Sequence, residues 1–299
     1  MNKVKMFLLI VIIITANMYA GNTGMSFLEM PTSAQSAAAM GVFSSEPTSG
    51  MVLFENPIGI YNEQTNINFT NNFWFADVNQ SVLTLGKNTK FGTFGAGLNF
   101  VNAPGIEIRS KPSDEPEGEV SAQFLVGALG FTHEIIPKLF VGVNGKYLYQ
   151  SLYTESASGF ALDAAAMWKM PSDLHLTFAM KNIGKMAALK DESTTLPTAL
   201  EIGLVRPNLL ADNHSFNGAL GIYFDHRLQA EQTDIKVGGE FSLYEKIFLR
   251  GGYSIQKEYN NASFGLGFQA NGLRLDVAML LLEEIPEYPY ILSFSYDLK

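Results

Sequence analysis

Leu273-Arg274-Leu275-Asp276-Val277-Ala278-Met279 and, a short interval later, Tyr290-Ile291-Leu292-Ser293-Phe294-Ser295-Tyr296-Asp297-Leu298 set large apolar residues against small, polar or charged ones. A period of two marks a strand with two unlike faces. The same beat runs upstream. Ile235, Val237, Gly239 and Phe241 are interleaved with Lys236, Gly238 and Glu240, and Phe264, Leu266 and Phe268 with Gly265, Gly267 and Gln269. The apolar face of each segment must meet either a protein core or lipid.

The start of the chain bears on that choice. Lys3 and Lys5 are followed by an apolar run from Met6 to Ala16, broken only by Thr15, and Ala20 is a candidate cleavage point. The run is shorter than the roughly 20 residues of a spanning helix and has the form of an export signal. Residues 1–20 are therefore expected to be a signal peptide, with Met18 standing where a small residue usually precedes the cut. There is no cysteine, which excludes a lipid-anchored lipoprotein and any disulfide. The formal charge is −9 from 20 basic and 29 acidic residues, and without Lys3 and Lys5 it is 18 − 29 = −11. An acidic chain with no basic stripe argues against a nucleic-acid partner. Charged residues make up only 16%, against about 25% in globular domains, so the apolar faces outnumber what a water-soluble surface needs. No later segment has the 18 or so consecutive apolar residues of a spanning helix. A closed barrel is the other structure able to cross a bilayer.

Fourteen segments carry the strand pattern: 66–75, 79–86, 91–101, 120–132, 139–152, 158–168, 174–182, 198–205, 215–225, 234–242, 247–255, 262–269, 273–281 and 290–298. Most approach the roughly 9–11 residues of a tilted membrane strand, and the even number suits a single-chain bacterial barrel. Their connections alternate in length. Residues 87–90, 133–138, 169–173, 243–246 and 270–272 are short turns, whereas 102–119, 183–197, 227–233, 256–261 and 282–289 are longer. Short periplasmic turns opposite long outer loops are characteristic of outer-membrane barrels, and a soluble sandwich has no reason to sort its loops this way. Residues 206–214 break the rule. Asn271-Gly272 predicts a tight hairpin, and the pairs Gly95/Gly97, Gly238/Gly239, Gly251/Gly252 and Gly265/Gly267 predict a crowded inner wall or bulges. The expected fold is all-β: a closed antiparallel transmembrane β-barrel of about 14 strands over residues 63–299, with a short N-terminal plug.

Residues 21–62 lack the ladder. Ser33 is placed to cap a short helix through Gln35, Ala37, Ala38, Ala39 and Met40 that ends at Gly41, and Phe54-Glu55-Asn56-Pro57 reads as a bend. The run Gly24-Met25-Ser26-Phe27-Leu28, then Pro31, Ala34, Ala37, Met40-Gly41, Asn56-Pro57 and Gly59, resembles the opening of the PorV/PorQ family of FadL-like outer-membrane barrels. Ile58 stands where that family usually has alanine, and Gln35 where it commonly has arginine. Further matches follow in order: Lys181-Asn182-Ile183-Gly184, Leu196-Pro197, Val237-Gly238-Gly239-Glu240, Leu249-Arg250-Gly251-Gly252-Tyr253, Phe264-Gly265-Leu266-Gly267 and Leu275-Asp276. The resemblance implies fourteen strands and a plug or hatch over 21–62, with Phe27, Leu28, Met30, Asn56 and Pro57 inside the barrel.

No catalytic chemistry is expected. His133, His175, His214 and His226 are scattered without metal-ligand spacing, and Asp225-His226 lacks a positioned serine and an oxyanion hole. No cofactor or metal is implied. With Phe241, Leu249, Phe264 and Leu275 facing lipid, Lys236, Glu240, Arg250, Arg274 and Asp276 must face inward, since Arg or Lys on the lipid side at midplane costs ~2–4 kcal/mol. The plain reading is a salt-bridge network anchoring the plug; the sharper one is a lining that recognises a ligand or peptide. Asp114, Glu115, Glu117, Glu283 and Glu284 fall in outer loops, where they either solvate a surface or meet partners. Phe73, Trp74, Phe75, Tyr147, Tyr149 and Tyr153 suit interfacial aromatic girdles.

The resemblance implies an integral protein of the bacterial outer membrane, in contact with lipid and part of the type IX protein secretion and attachment machinery. Its loops would bind secreted proteins with C-terminal sorting domains or other secretion-system subunits. The alternative is a FadL-like channel for hydrophobic small molecules, with Phe27, Leu28 and Met30 along the path. A barrel that merely stabilises the membrane is a third expectation.

Overall fold

The computed structural model describes residues 24–46, 52–62, 64–109, 115–190, 194–210, 215–283 and 285–298. The expected signal peptide, Asp114 and Glu284 lie outside the described residues. The alternating segments form fourteen strands. The first are β1 (Thr65–Phe73), β2 (Asn79–Thr89), β3 (Gly92–Ile108), β4 (Gly118–Ile136) and β5 (Leu139–Leu152). Next come β6 (Glu155–Met170), β7 (Leu174–Met186), β8 (Ala199–Arg206), β9 (Phe216–Arg227) and β10 (Gln232–Leu243). The last are β11 (Ile247–Ile255), β12 (Asn260–Ala270), β13 (Leu273–Leu282) and β14 (Tyr290–Leu298). Each strand is antiparallel to its neighbours in sequence, and β1 pairs with β14 from Thr65↔Leu298 to Phe73↔Tyr290. The sheet is therefore a closed barrel without an edge. Closure lets the backbone satisfy its own hydrogen bonds where no water can.

The period of two decides which residues meet lipid. In β14, Tyr290, Leu292, Phe294 and Tyr296 are exposed, while Ile291, Ser293 and Ser295 are buried. Leu266, near the middle of β12, belongs to the outer set. Leu266→Arg is expected to destabilise the barrel by about 2–4 kcal/mol, the scale for a cation at the midplane of a lipid face. The urea midpoint of refolding into lipid vesicles measures this, and an unchanged midpoint would place Leu266 off the lipid face.

Several strands outrun their expected ends. β3 and β4 pair as far as Ile108↔Gly118, so both strands run into 102–119, where a loop is expected. The register shifts between Ala103 and Ile106. A bulge there interrupts the alternation, which hides the continuation from the sequence. At the other end β2 runs through Lys87 to Thr89 and β4 through His133 to Ile136, because backbone pairing at a rim does not require apolar side chains. Asn271 (φ 53°) and Gly272 (φ 81°) both take the left-handed conformation of a type I′ hairpin. The irregular turn after β8 is fastened by side chains: Asn208 Nδ2 donates to Asp173 Oδ2 (2.9 Å) and Asn217 Nδ2 to Asn208 Oδ1 (2.9 Å).

The described residues 24–46 and 52–62, before β1, occupy the lumen. Call the end holding Thr65 and Leu298 the base, and the opposite end the mouth. At the mouth, Gly24 N donates to Thr195 O (3.0 Å) and Asn72 Nδ2 to Pro31 O (3.5 Å). Helix α1 (Ala34–Ala38) follows, capped by Ser33 Oγ accepting from Ser36 N at 3.0 Å. The chain leaves it through Met40 and Gly41, both at positive φ, and reaches the base where Glu46 meets His175 Nδ1 at 2.7 Å. After residue 51 the chain returns through Leu53 to a 3₁₀ turn, Pro57–Ile60, capped by Asn56 Oδ1.

The wall yields where this segment passes. A Cβ on Gly252 would stand 2.5 Å from the Ala39 carbonyl carbon, one on Gly238 2.7 Å from Ala39 O, and one on Gly265 2.5 Å from Ala38 Cβ. Across the lumen, Gly95, Gly97 and Gly130 make the same room for Leu53. Gly238 and Gly252 serve close approach of two backbones, and the others admit plug side chains against the wall.

Candidate functional site

Near the mouth, between the plug and the wall, lies a cavity of about 180 Å³. Leu28, Met30, Trp74, Leu280 and Leu282 supply apolar lining, and β7 to β10 supply Lys181, Glu201, Asp225, Arg227, Asp234 and Lys236. The charged lining follows from strand register. Glu201 lies opposite Asp225, and Asp225 opposite Asp234, so three inward carboxylates stand in a row on adjacent strands. Like charges in direct opposition repel, and cations interleave to offset this. Lys181 Nζ lies 2.6 Å from Glu201 Oε1, Lys236 Nζ 2.7 Å from Asp225 Oδ2, and Arg227 Nη2 2.9 Å from Asp234 Oδ2. Arg227 Nε also reaches Glu29 Oε1 of the plug at 2.6 Å. Burial lifts the Glu29 carboxyl above the ordinary glutamate range despite the pull of Arg227.

Lys181 and its neighbour Asn182 both serve the lumen, which strict alternation forbids. The register shifts between Leu162 and Ala164 against β7, and Asn182 sits at φ 57°. That bulge turns two consecutive side chains inward. Asn182 N donates to Asp163 Oδ1 (2.8 Å), and its own Oδ1 accepts from Lys146 Nζ (3.0 Å). Lys146 Nζ also pairs with Asp163 at 2.6 Å and donates to Phe54 O at 3.2 Å, binding plug to wall.

The five charges expected to form one inward network divide into two. Arg250 bonds Glu240 (2.6 Å) and Asp276 (2.7 Å), and Arg274 joins Asp276 (2.8 Å), all nearer the base. Both guanidiniums lie over Phe248, at 5.0 and 4.7 Å from the ring centroid. Lys236 belongs instead to the cavity, with Asp225. Glu240 is four positions further along β10, roughly 13 Å along the wall, too far for one cluster. A Cβ on Gly267 would meet Asp276 Oδ1 at 2.3 Å and Arg250 Nη1 at 2.9 Å, so this glycine leaves space for the ion pair.

Of the plug residues, Leu28 and Met30 line the cavity, but Phe27 is buried against Phe124 with ring centroids 4.7 Å apart. Asn56 is the cap already described, and the Pro57 carbonyl accepts from Thr132 Oγ1. Trp74 does not join an outer girdle. It packs inward against the cluster of Ala34, Ala38 and Leu280, continuing the inward parity of Asn66, Asn68, Thr70 and Asn72 in β1. Glu115, Glu117 and Glu283 are exposed, and Glu283 Oε2 accepts from Asn260 N at 2.6 Å. Glu201, Asp225 and Asp234 were legible by the same argument as Lys236. Ile202 and Phe224 face lipid, which obliges their strand neighbours to face in. Among the described residues no cluster of His, Cys, Asp or Glu is arranged to hold a metal ion.

No protein-family model matches the chain, and no curated protein matches its sequence. Solved structures do match in shape. The toluene transporter TodX of Pseudomonas putida superposes with TM-score 0.64 at 14% identity, over 95% of this chain and 100% of that one. The fold is shared with FadL-type channels. CymD, a monoaromatic hydrocarbon channel, gives 0.63 at 10% identity, covering 92% of this chain and 98% of its own. A FadL homologue of Pseudomonas aeruginosa gives 0.57 at 11%, covering 95% and 100%. These neighbours are channels and transporters, and at such identities the likeness concerns the fold of an outer-membrane barrel.

Proposed function

We propose that this chain is a non-enzymatic outer-membrane channel of FadL type, exported by residues 1–20, that takes small molecules with apolar character from the mouth into its lumen. The observation that carries this reading is the cavity between plug and wall, with Leu28, Met30, Trp74, Leu280 and Leu282 in its lining. A barrel built only to stabilise a membrane has no use for a chamber there. The plug is the gate: at the mouth Gly24 N donates to the Thr195 carbonyl, and at the other end Thr93 Oγ1 donates to the Asn62 carbonyl. Cells expressing the protein in their outer membrane are expected to take up a radiolabelled monoaromatic solute several-fold faster than cells without it. Equal uptake would count against the channel.

The ordered PorV/PorQ-like motifs support a second reading, a scaffold for type IX secretion whose mouth loops hold cargo or partner subunits. Affinity purification of the tagged chain from its own outer membrane separates the two. Exported proteins sharing a C-terminal sorting domain are expected partners of a scaffold, and a bound small molecule without protein partners is expected of a channel.

A further inference from the structure

The carboxylate row on β8, β9 and β10 holds more acceptors than its cations use. In each acid one oxygen takes the ion pair. The other (Glu201 Oε2, Asp225 Oδ1 and Asp234 Oδ1) is buried and accepts no hydrogen bond from the described residues, and Ser254 Oγ is likewise unpaired. All four residues line the cavity, and none is more than 6% exposed. An acceptor buried in this way carries a desolvation cost that a donor would relieve. The charge count points the same way. The lining has five carboxylates (Glu29, Glu55, Glu201, Asp225, Asp234) against three cations (Lys181, Arg227, Lys236).

Both deficits are met by one kind of guest, a cation rich in N–H donors. A bare metal ion does not fit, because no described acidic cluster has the required convergence. The apolar lining from Leu28, Met30, Trp74, Leu280 and Leu282 calls for a hydrocarbon portion on the same molecule. Size agrees: apolar cavities of about 150 Å³ accept benzene, and this one measures about 180 Å³. We propose that the cavity recognises an organic ammonium ion with an apolar portion of monoaromatic size, its N–H groups bonded to the unpaired oxygens of the row. This deepens the small-molecule reading above and rests on it.

Trp74 lines the cavity, and the chain's other tryptophan, Trp168, is on the lipid side. The refolded full chain carrying Trp168→Phe therefore reports binding by fluorescence. Three probes share one ring: 2-phenylethylammonium, neutral ethylbenzene and anionic phenylacetate. The ammonium is expected to bind roughly tenfold or more tighter than ethylbenzene, the scale of a charge-assisted hydrogen bond, with phenylacetate weakest. Asp234→Asn and, separately, Glu201→Gln should erase most of that preference, with heat-modifiable gel mobility showing that each variant folds. If ethylbenzene binds as tightly as the ammonium, the ammonium assignment fails while the small-molecule reading stands. If none of the three binds, both fail. A preference that survives in both folded variants overturns the placement of the ammonium on this row.

Discussion

Lys146→Met is expected to destabilise the folded barrel by about 3–5 kcal/mol, the range for stripping one partner from a buried ion pair. The side chains of Lys146 and Asp163 are 1% and 0% exposed, so the orphaned Asp163 has no route to water. The loss spreads because the ammonium has three partners. It pairs with Asp163, donates to Asn182 Oδ1 at the bulge of β7, and donates to Phe54 O in the plug. Removing it leaves Asn144 Nδ2, which donates to Leu53 O, to hold the plug there, and takes from Asn182 Oδ1 its donor. The midpoint of urea unfolding in lipid vesicles should fall accordingly. Adding Asp163→Asn to Lys146→Met should recover part of the loss, since the buried charge is gone and the amide oxygen can still accept from Asn182 N. A double variant less stable than the single one would show that Asp163 is held by something other than this lysine.

The architecture was readable because membrane barrels write it twice, once in the alternation and once in the turns. Each of the fourteen expected segments overlaps one strand, and Asn271-Gly272 is the hairpin its residues require. What escaped was whatever breaks the period. The bulge at Asn182 hides that Lys181 and Asn182 serve the same side, and the bulge after Ala103 hides the extension of β3 and β4. The site was half legible. Parity puts Lys236, Arg250 and Asp276 inside, but only register across strands shows that Lys236 meets Asp225 while Arg250 meets Glu240. Register depends on turn lengths and bulges along the whole sheet, so single-strand periodicity cannot supply it. Trp74 differs: the parity of Asn66, Asn68, Thr70 and Asn72 already turns it inward, and grouping it with Phe73 and Phe75 as a girdle overrode that parity.

Gly252→Val is expected to open the lumen. The first atom of the new side chain would stand 2.5 Å from the Ala39 carbonyl carbon and 2.7 Å from Met40 N, and backbone atoms cannot rotate away as a side-chain tip can. Either the wall or the plug must shift, and the wall is tied by continuous ladders to β10 and β12. The plug is held there by less: Ser293 Oγ accepts from Ala34 N (2.8 Å), and Ser263 Oγ donates to Ala38 O (2.9 Å). Overpacking of this kind costs roughly 1–3 kcal/mol, comparable with the few hydrogen bonds that seat α1, so the plug should yield first. In planar bilayers the variant should give frequent conducting steps where the parent protein is largely closed. Gly251→Val is the matched control, because a Cβ there meets only Ser263 O at an ordinary 3.7 Å and lies on the outer face. If the folded Gly252 variant conducts no more than the Gly251 variant, the plug has not yielded as the barrier to passage and the expectation fails.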